Sequence, residues 1–203
     1  MEKIDLKKEL RHLYSSSSKE VIIVDVPEMS FLMVDGMGDP NTAKDYQDAI
    51  EALYAVAYAL KFMIKKGDSG IDYVVMPLEG LWWTEDMSKF SLENKDLWKW
   101  TAMIMQPKEV SGALFSEVLE QAQKKRKLAS LSKMRFERFH EGLAAQIMHI
   151  GPYSAEGPTI EKLHSYIKQT GYELRGKHHE IYLSDPGRSK PERMKTIIRQ
   201  PID

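Results

Sequence analysis

The sequence predicts an α+β fold: a duplicated strand-helix-strand-strand module with pseudo-twofold symmetry and a central ligand cleft. Three observations carry it. Compact β-branched and methionine-rich runs alternate with helical periodicity, one long helical face is unmistakable, and the order of elements restarts about two thirds of the way along the chain.

Residues 1–14 read as a short charged helix or arm, and Ser15 to Ser18 as a polar spacer before the β-branched run Val21–Val24. Phe31–Val34 continues in extended form until Asp35-Gly36-Met37-Gly38-Asp39-Pro40 breaks it. Tyr46, Ile50, Leu53, Ala57, Leu60 and Ile64 then recur at spacings of three and four, marking one buried helical face that stops at Gly67. Ile71–Met76 and Leu97–Met105 are further extended runs. Val110, Leu114, Val118 and Ala122 give a connecting helix with a basic end. Leu143–Ile150, a turn at Gly151-Pro152-Tyr153, a helix through Ile160, Leu163 and Ile167, and strands at His179–Leu183 and Thr196–Ile202 complete the second pass. Order and turn placement match between FLMVDGMGDP, YVVMPLEG and WTAMIMQP on one side and AAQIMHIGPY, HHEIYLSDP and KTIIRQP on the other. The expected organisation is one domain over 1–203: a half-module with its arm (1–107), a connector helix (108–130) and a second half-module (131–203). The two long helices are expected on one side of the sheet, with the cleft on the other.

Composition narrows the chemistry. A chain of 203 residues buries a core without cross-links, and with Cys 0 there is no disulfide, thiolate nucleophile or cysteine-ligated metal. Lys+Arg 29 against Asp+Glu 30 lacks the basic excess of a nucleic-acid-binding domain, and Lys124-Lys125-Arg126-Lys127 reads as a solvated helix end. No signal-like or membrane-spanning apolar run of about 18 residues occurs, so the expectation is a cytoplasmic protein without a membrane partner. Phosphate loops and the Gly-x-Ser-x-Gly elbow are also missing, and the adjacent His178 and His179 come with no third ligand, so no cofactor or metal is expected.

The residues left to carry chemistry are aromatics and carboxylates. All 4 Trp lie at Trp82, Trp83, Trp98 and Trp100, beside Glu79. An indole cluster of this kind reads either as core or as a wall for planar or cationic ligands. In His178-His179-Glu180-Ile181-Tyr182, Glu180 and Tyr182 share one face of a strand. An acid inside an apolar strand is either an exposed edge residue or a pocket carboxylate with a shifted pKa.

Gln146–Tyr153, His178–Pro186 and Lys195–Pro201, taken in order, resemble the GyrI-like small-molecule-binding family, and Pro77-Leu78-Glu79-Gly80-Leu81-Trp82-Trp83 resembles a stand-alone branch of it. The resemblance implies the duplicated module and a central cleft, as in the effector-binding domains of multidrug-sensing regulators. It implies a pocket carboxylate at Glu180 for cationic or polar groups of aromatic ligands. The charged arm is too short for the DNA-binding domain those regulators carry. Some stand-alone members are similar to cyclopropanoid cyclopropyl hydrolases, which open the strained ring of DNA-alkylating natural products. On that analogy Glu180 directs water, Tyr182 or Tyr153 donates to an oxygen, Trp82 or Trp83 clamps the flat ring with Trp98 and Trp100 nearby, and Glu79 is a second carboxylate candidate. A detoxifying hydrolase, a sequestering drug-binding protein and a gyrase-protecting interaction protein are the three classes in play, the first two sharing one pocket and a small aromatic ligand.

Overall fold

The computed structural model describes residues 2–67, 70–87 and 95–203. Its centre is a curled eight-stranded antiparallel sheet. In chain order the elements are β1 (Glu2–Ile4), α1 (Leu6–Glu9), α2 (Arg11–Tyr14), β2 (Ile22–Val26), β3 (Met29–Met37), α3 (Lys44–Lys66), β4 (Ile71–Tyr73), β5 (Leu78–Trp83), β6 (Lys99–Gln106), α4 (Gly112–Lys125), β7 (Arg135–Phe139), β8 (Gly142–Ile150), α5 (Gly157–Gln169), β9 (His178–Tyr182) and β10 (Lys195–Pro201). The strand order is β2-β8-β10-β9-β5-β6-β3-β7. Reading outward from the β9–β5 seam, β9-β10-β8 mirrors β5-β6-β3, and a long helix follows β8 as another follows β3. This is the expected pseudo-twofold arrangement.

Strands β3, β4 and β5 differ from expectation, and the edge strand β7 has no counterpart in it. Ile71–Tyr73 leaves the main sheet and pairs in parallel with β1, and the strand that enters the sheet is Leu78–Trp83. Pro77 separates them, since a proline ends one run and begins the next. Strand β3 also runs through the glycine-containing stretch to Met37, where Gly36 faces Trp100 across the β3–β6 pair. A Cβ at Gly36 would run into the Trp100 ring, so this glycine makes room for an indole rather than a turn.

Register assigns the faces. Gly80 lies opposite Glu180 and Trp82 opposite His178, so Leu78, Gly80 and Trp82 share a face with His178, Glu180 and Tyr182. Helix α3 packs on that face through Tyr46, which contacts Trp82 and Trp100 at 5.5 and 5.0 Å between ring centroids. Helix α5 covers the other end of the same face, where Leu163 and Ile167 join Ile147 and Ile198. Both long helices therefore lie on one side, and three alanines, Ala49, Ala52 and Ala57, let α3 approach the strands closely.

The inner curve of the sheet is filled rather than open. Leu13 and Tyr14 of the arm are buried in it. Arg199 from β10 donates to the Leu13 carbonyl (2.7 Å), to Gln146 Oε1 (2.9 Å) and to Glu141 Oε2 (3.1 Å), while Gln146 donates to the His12 carbonyl (3.1 Å). The charged arm is thus a plug whose last turn is apolar. Among the described residues, no helix is long and apolar enough to cross a membrane.

Candidate functional site

With the inner curve occupied, the cleft opens on the helix-bearing face, between α3 and α5 and above the β9–β5 seam. The expectation that it lies opposite the helices is corrected by this placement. The helices cover the two ends of the face and leave the middle bare. The resulting cavity holds about 620 Å³, ample for a three- or four-ring molecule. Helix α3 contributes Tyr46, Ile50, Tyr54 and Tyr58, one helical stripe at intervals of four. The sheet contributes Trp82, Glu180 and Tyr182, the segment before β6 contributes Lys95 and Trp98, and the turn into α5 contributes Tyr153 and Glu156. Leu183 to Pro186 and Arg188 form the mouth on one side.

Glu180 is the fixed charge of this cavity. Its Oε2 accepts from the Tyr182 hydroxyl (2.7 Å) and its Oε1 from His178 Nε2 (3.0 Å). Tyr182 in turn accepts from the Trp82 indole N–H (3.1 Å), so a chain of donors runs from the aromatic wall to the carboxylate. Burial alone would raise the Glu180 carboxyl, but the hydrogen bond and charge of His178 and the Tyr182 hydroxyl outweigh it and hold the group below the usual glutamate value. Gly80 makes this geometry attainable: a Cβ there would stand 2.7 Å from the Trp82 indole nitrogen. Burial first, then the Glu180 charge, pushes the Tyr182 hydroxyl well above the usual tyrosine value, so it stays a donor.

Glu156, which sequence reasoning passed over, behaves oppositely. It is 3% exposed and lines the cavity, and among the described residues its Oε1 has no hydrogen-bond partner. Burial, then the neighbouring Glu180 charge, raises its carboxyl to about 9. An acid just ahead of a helix ordinarily reads as a favourable dipole partner, which hid it. The turn that carries it is pinned by His149, whose ring nitrogens meet the Thr159 hydroxyl (2.9 Å) and the Pro152 carbonyl (3.2 Å).

The other predicted residues divide. Tyr153 stacks edge-on against Tyr182 (5.5 Å), and Trp98 packs against Trp82 (5.4 Å) and lies under the Lys95 ammonium (5.1 Å). Trp100 is outside the cavity, buried between Tyr46 and Gly36. Trp83 points to the opposite face, where the Lys177 ammonium sits over its ring at 3.4 Å. Glu79 also faces the inner curve. It accepts from Tyr14 (2.8 Å) and lies 3.0 Å from His179 Nε2, whose Nδ1 meets Glu141 at 2.9 Å. An imidazole with a carboxylate at each nitrogen donates from both and is cationic. Burial would lower His179, but the charge of Glu141 and the hydrogen bonds with Glu141 and Glu79 bring it up to about 9. Alternation along β5 is the physical reason for the division: residues two apart share a face, so Trp82 in the cavity excludes Glu79 and Trp83.

A small-molecule-binding family model matches residues 19–202, almost the whole chain. The chain belongs to the GyrI-like small molecule binding domain family. Three crystal structures from Listeria innocua are similar to this GyrI-like protein along its length. An uncharacterized conserved protein is 43% identical with a TM-score of 0.91, covering 98% of this chain and 100% of that one. Two others, each described as a hydrolase, are 42% and 40% identical with TM-scores of 0.88 and 0.85, covering 100% and 98% of this chain and 100% of each of theirs. The EcmrR C-terminal domain, 12% identical with a TM-score of 0.56 over 91% of this chain and 97% of that one, shares the fold. A search of curated proteins finds no match.

Proposed function

We propose that this GyrI-like protein binds flat aromatic compounds that carry a cationic or hydrogen-bonding group, and that it opens the cyclopropane of DNA-alkylating compounds by directed attack of water. The observation that carries the binding part is Glu180, a buried carboxylate held ionised by His178 and Tyr182 at the floor of an aromatic-walled cavity. Trp82 and Trp98 supply the wall against which a planar ring stacks, and Glu180 meets its charge. Burying a ligand cation here replaces lost hydration with a preorganised anion.

The hydrolytic part is supported by the two Listeria innocua hydrolases of similar sequence. For a spirocyclopropane fused to a dienone, the water oxygen bonds to the ring methylene as the strained C–C bond breaks. The electron pair of that bond moves to the dienone oxygen, giving a phenolate. Glu180 takes the proton from the water, and a proton delivered to the phenolate completes the phenol. A carboxylate held below its usual range is a modest base, so strain release and positioning by the aromatic wall supply most of the driving force.

Single-turnover kinetics with a cyclopropane-bearing alkylator separate binding from turnover. Glu180→Gln is expected to lose about 10²–10⁴-fold in rate. Titration of a flat aromatic cation, followed by Trp fluorescence, is expected to show weaker binding in the same variant and unchanged binding of a neutral aromatic. A Glu180→Gln protein that reacts at the wild-type rate overturns the hydrolytic role, and one that binds the cation as tightly as wild type overturns the role in recognition.

A further inference from the structure

The cavity contains two buried carboxylates with unequal support. Glu180 has a donor on each oxygen, whereas Glu156, equally buried, has an oxygen in the cavity wall with no partner among the described residues. Two like charges in one small cavity oppose each other, and a buried carboxylate supported by a single hydroxyl, that of Thr196, sustains a charge less well than one with a donor on each oxygen. The proton therefore resides on Glu156 and the charge on Glu180 while the cavity is empty. We propose that Glu156 is a second ligand-contacting carboxylate, which gives up its proton to solvent when a cationic aromatic ligand enters, so that cation binding and proton release are coupled.

This inference rests on the reading of the cavity as a site for aromatic cations. The charged and titratable groups around Glu156 come from several elements. Glu180 and Tyr182 lie on β9, Tyr153 in its own turn and Lys95 ahead of β6, while Lys7, Asp185 and Arg188 line the same cavity. Among the described residues, the Thr196 hydroxyl and the Lys95 charge hold the Glu156 carboxyl down, and burial together with the Glu180 charge overrides them. A ligand cation arriving within about 4–6 Å changes that balance, since an opposite charge at this distance brings a carboxyl down by roughly one to three pH units. Starting from about 9, Glu156 then ionises in the neutral range. The consequence for specificity is that a cation meets two carboxylates and a neutral ring meets one carboxylate and one carboxylic acid. The site thereby serves both classes without keeping two buried charges in the empty protein.

The test is isothermal titration calorimetry of the full chain with N-methylacridinium, a permanent flat cation, at pH 7.5 in phosphate and in Tris. The difference in apparent enthalpy between the buffers counts protons. The wild type is expected to release roughly half to one proton per cation, and its Kd to fall roughly three- to tenfold per pH unit between pH 6.5 and 8.5. Acridine, neutral at pH 8, is expected to bind without proton release. Glu156→Gln, which keeps the shape, is expected to bind N-methylacridinium with no proton released and a flat pH dependence. Wild-type binding with no proton release overturns the coupling. The same release from Glu156→Gln assigns the proton to another group and also overturns it. If neither compound quenches the Trp fluorescence or gives heat, the cation-site reading fails and the coupling with it.

Discussion

The two faces of the β9–β5 seam carry nearly the same constellation and put it to different use. On the cavity face Glu180 takes a tyrosine hydroxyl and a histidine Nε2, at 2.7 and 3.0 Å from Tyr182 and His178. On the inner curve Glu79 takes the same pair of groups, at 2.8 and 3.0 Å from Tyr14 and His179. What differs is the volume in front of the carboxylate. Beside Glu180 there is a cavity of about 620 Å³, and beside Glu79 the arm fills the space with Leu13 and Tyr14, joined by Glu141 from the β7–β8 turn and Arg199 from β10. A glutamate–histidine pair becomes a candidate site only where packing leaves room for a ligand. Where it does not, the pair is part of a neutral buried network of two carboxylates, an imidazolium and a guanidinium.

The inner-curve network gives the largest expected effect. Arg199→Ala leaves Glu141 without its guanidinium partner and cuts the tie to the Leu13 carbonyl, so unfolding in urea is expected to show a loss of about 3–5 kcal/mol. A loss under about 1 kcal/mol would mean that the plug is not held by this network.

The pH dependence sharpens the same contrast. His179 rises from its usual 6.5 to about 9 on folding, so its contribution is complete below pH 6.5 and disappears as pH rises through 9. Glu141 falls from 4.5 to about 2, because the His179 and Arg199 charges and hydrogen bonds outweigh burial. Its contribution is complete above pH 4.5 and disappears as pH falls toward 2. These two groups alone favour roughly pH 4.5 to 6.5, but Glu156, raised from 4.5 to about 9, adds a decline that starts above pH 4.5; stability is therefore expected to be highest near pH 4.5 and to fall toward 9, a profile that thermal melts across buffers measure.

On the cavity face the sign reverses for substitution. Glu156 keeps its proton to about 9 when folded but loses it near 4.5 when unfolded, so at pH 7 it favours the unfolded chain. Glu156→Gln is expected to stabilise the protein by about 1–3 kcal/mol at pH 7 and to have little effect at pH 4, as expected for a group retained for a site rather than for the fold. Equal melting temperatures at pH 7 would contradict this. Little effect on binding is expected at Trp83. It stacks under Lys177 on the face away from the cavity, so Trp83→Ala should leave the affinity for an aromatic cation within about twofold, while the lost packing of a half-buried ring costs about 1–3 kcal/mol in stability.

The contrast also marks what was legible in the sequence. Strand alternation put Glu180 and Tyr182 on one face, and the same rule applied to β5 would have sent Glu79 and Trp83 away from Trp82. That step needed the strand boundary at Leu78, which Pro77 concealed by making Ile71–Met76 look like the sheet strand. The long helix was legible because its apolar period is unbroken over 23 residues. The role of the arm was not, because its charge masks a single buried turn at Leu13 and Tyr14. Which side held the cleft depended on that plug. Glu156 was invisible for another reason: an acid before a helix is commonplace, and only the cavity around it makes it unusual.

Matched hydroxyl deletions on the two faces test the central claim most directly. Tyr182→Phe and Tyr14→Phe each remove one hydrogen bond from a buried glutamate, and the affinity for N-methylacridinium and the urea midpoint can be measured for both. Tyr182→Phe is expected to change cation affinity by about tenfold, because it alters the carboxylate that meets the ligand. Tyr14→Phe is expected to lower stability by about 1 kcal/mol and leave affinity unchanged. Equal changes in affinity for the two variants, or a change confined to Tyr14→Phe, would contradict the assignment of the cavity face as the site.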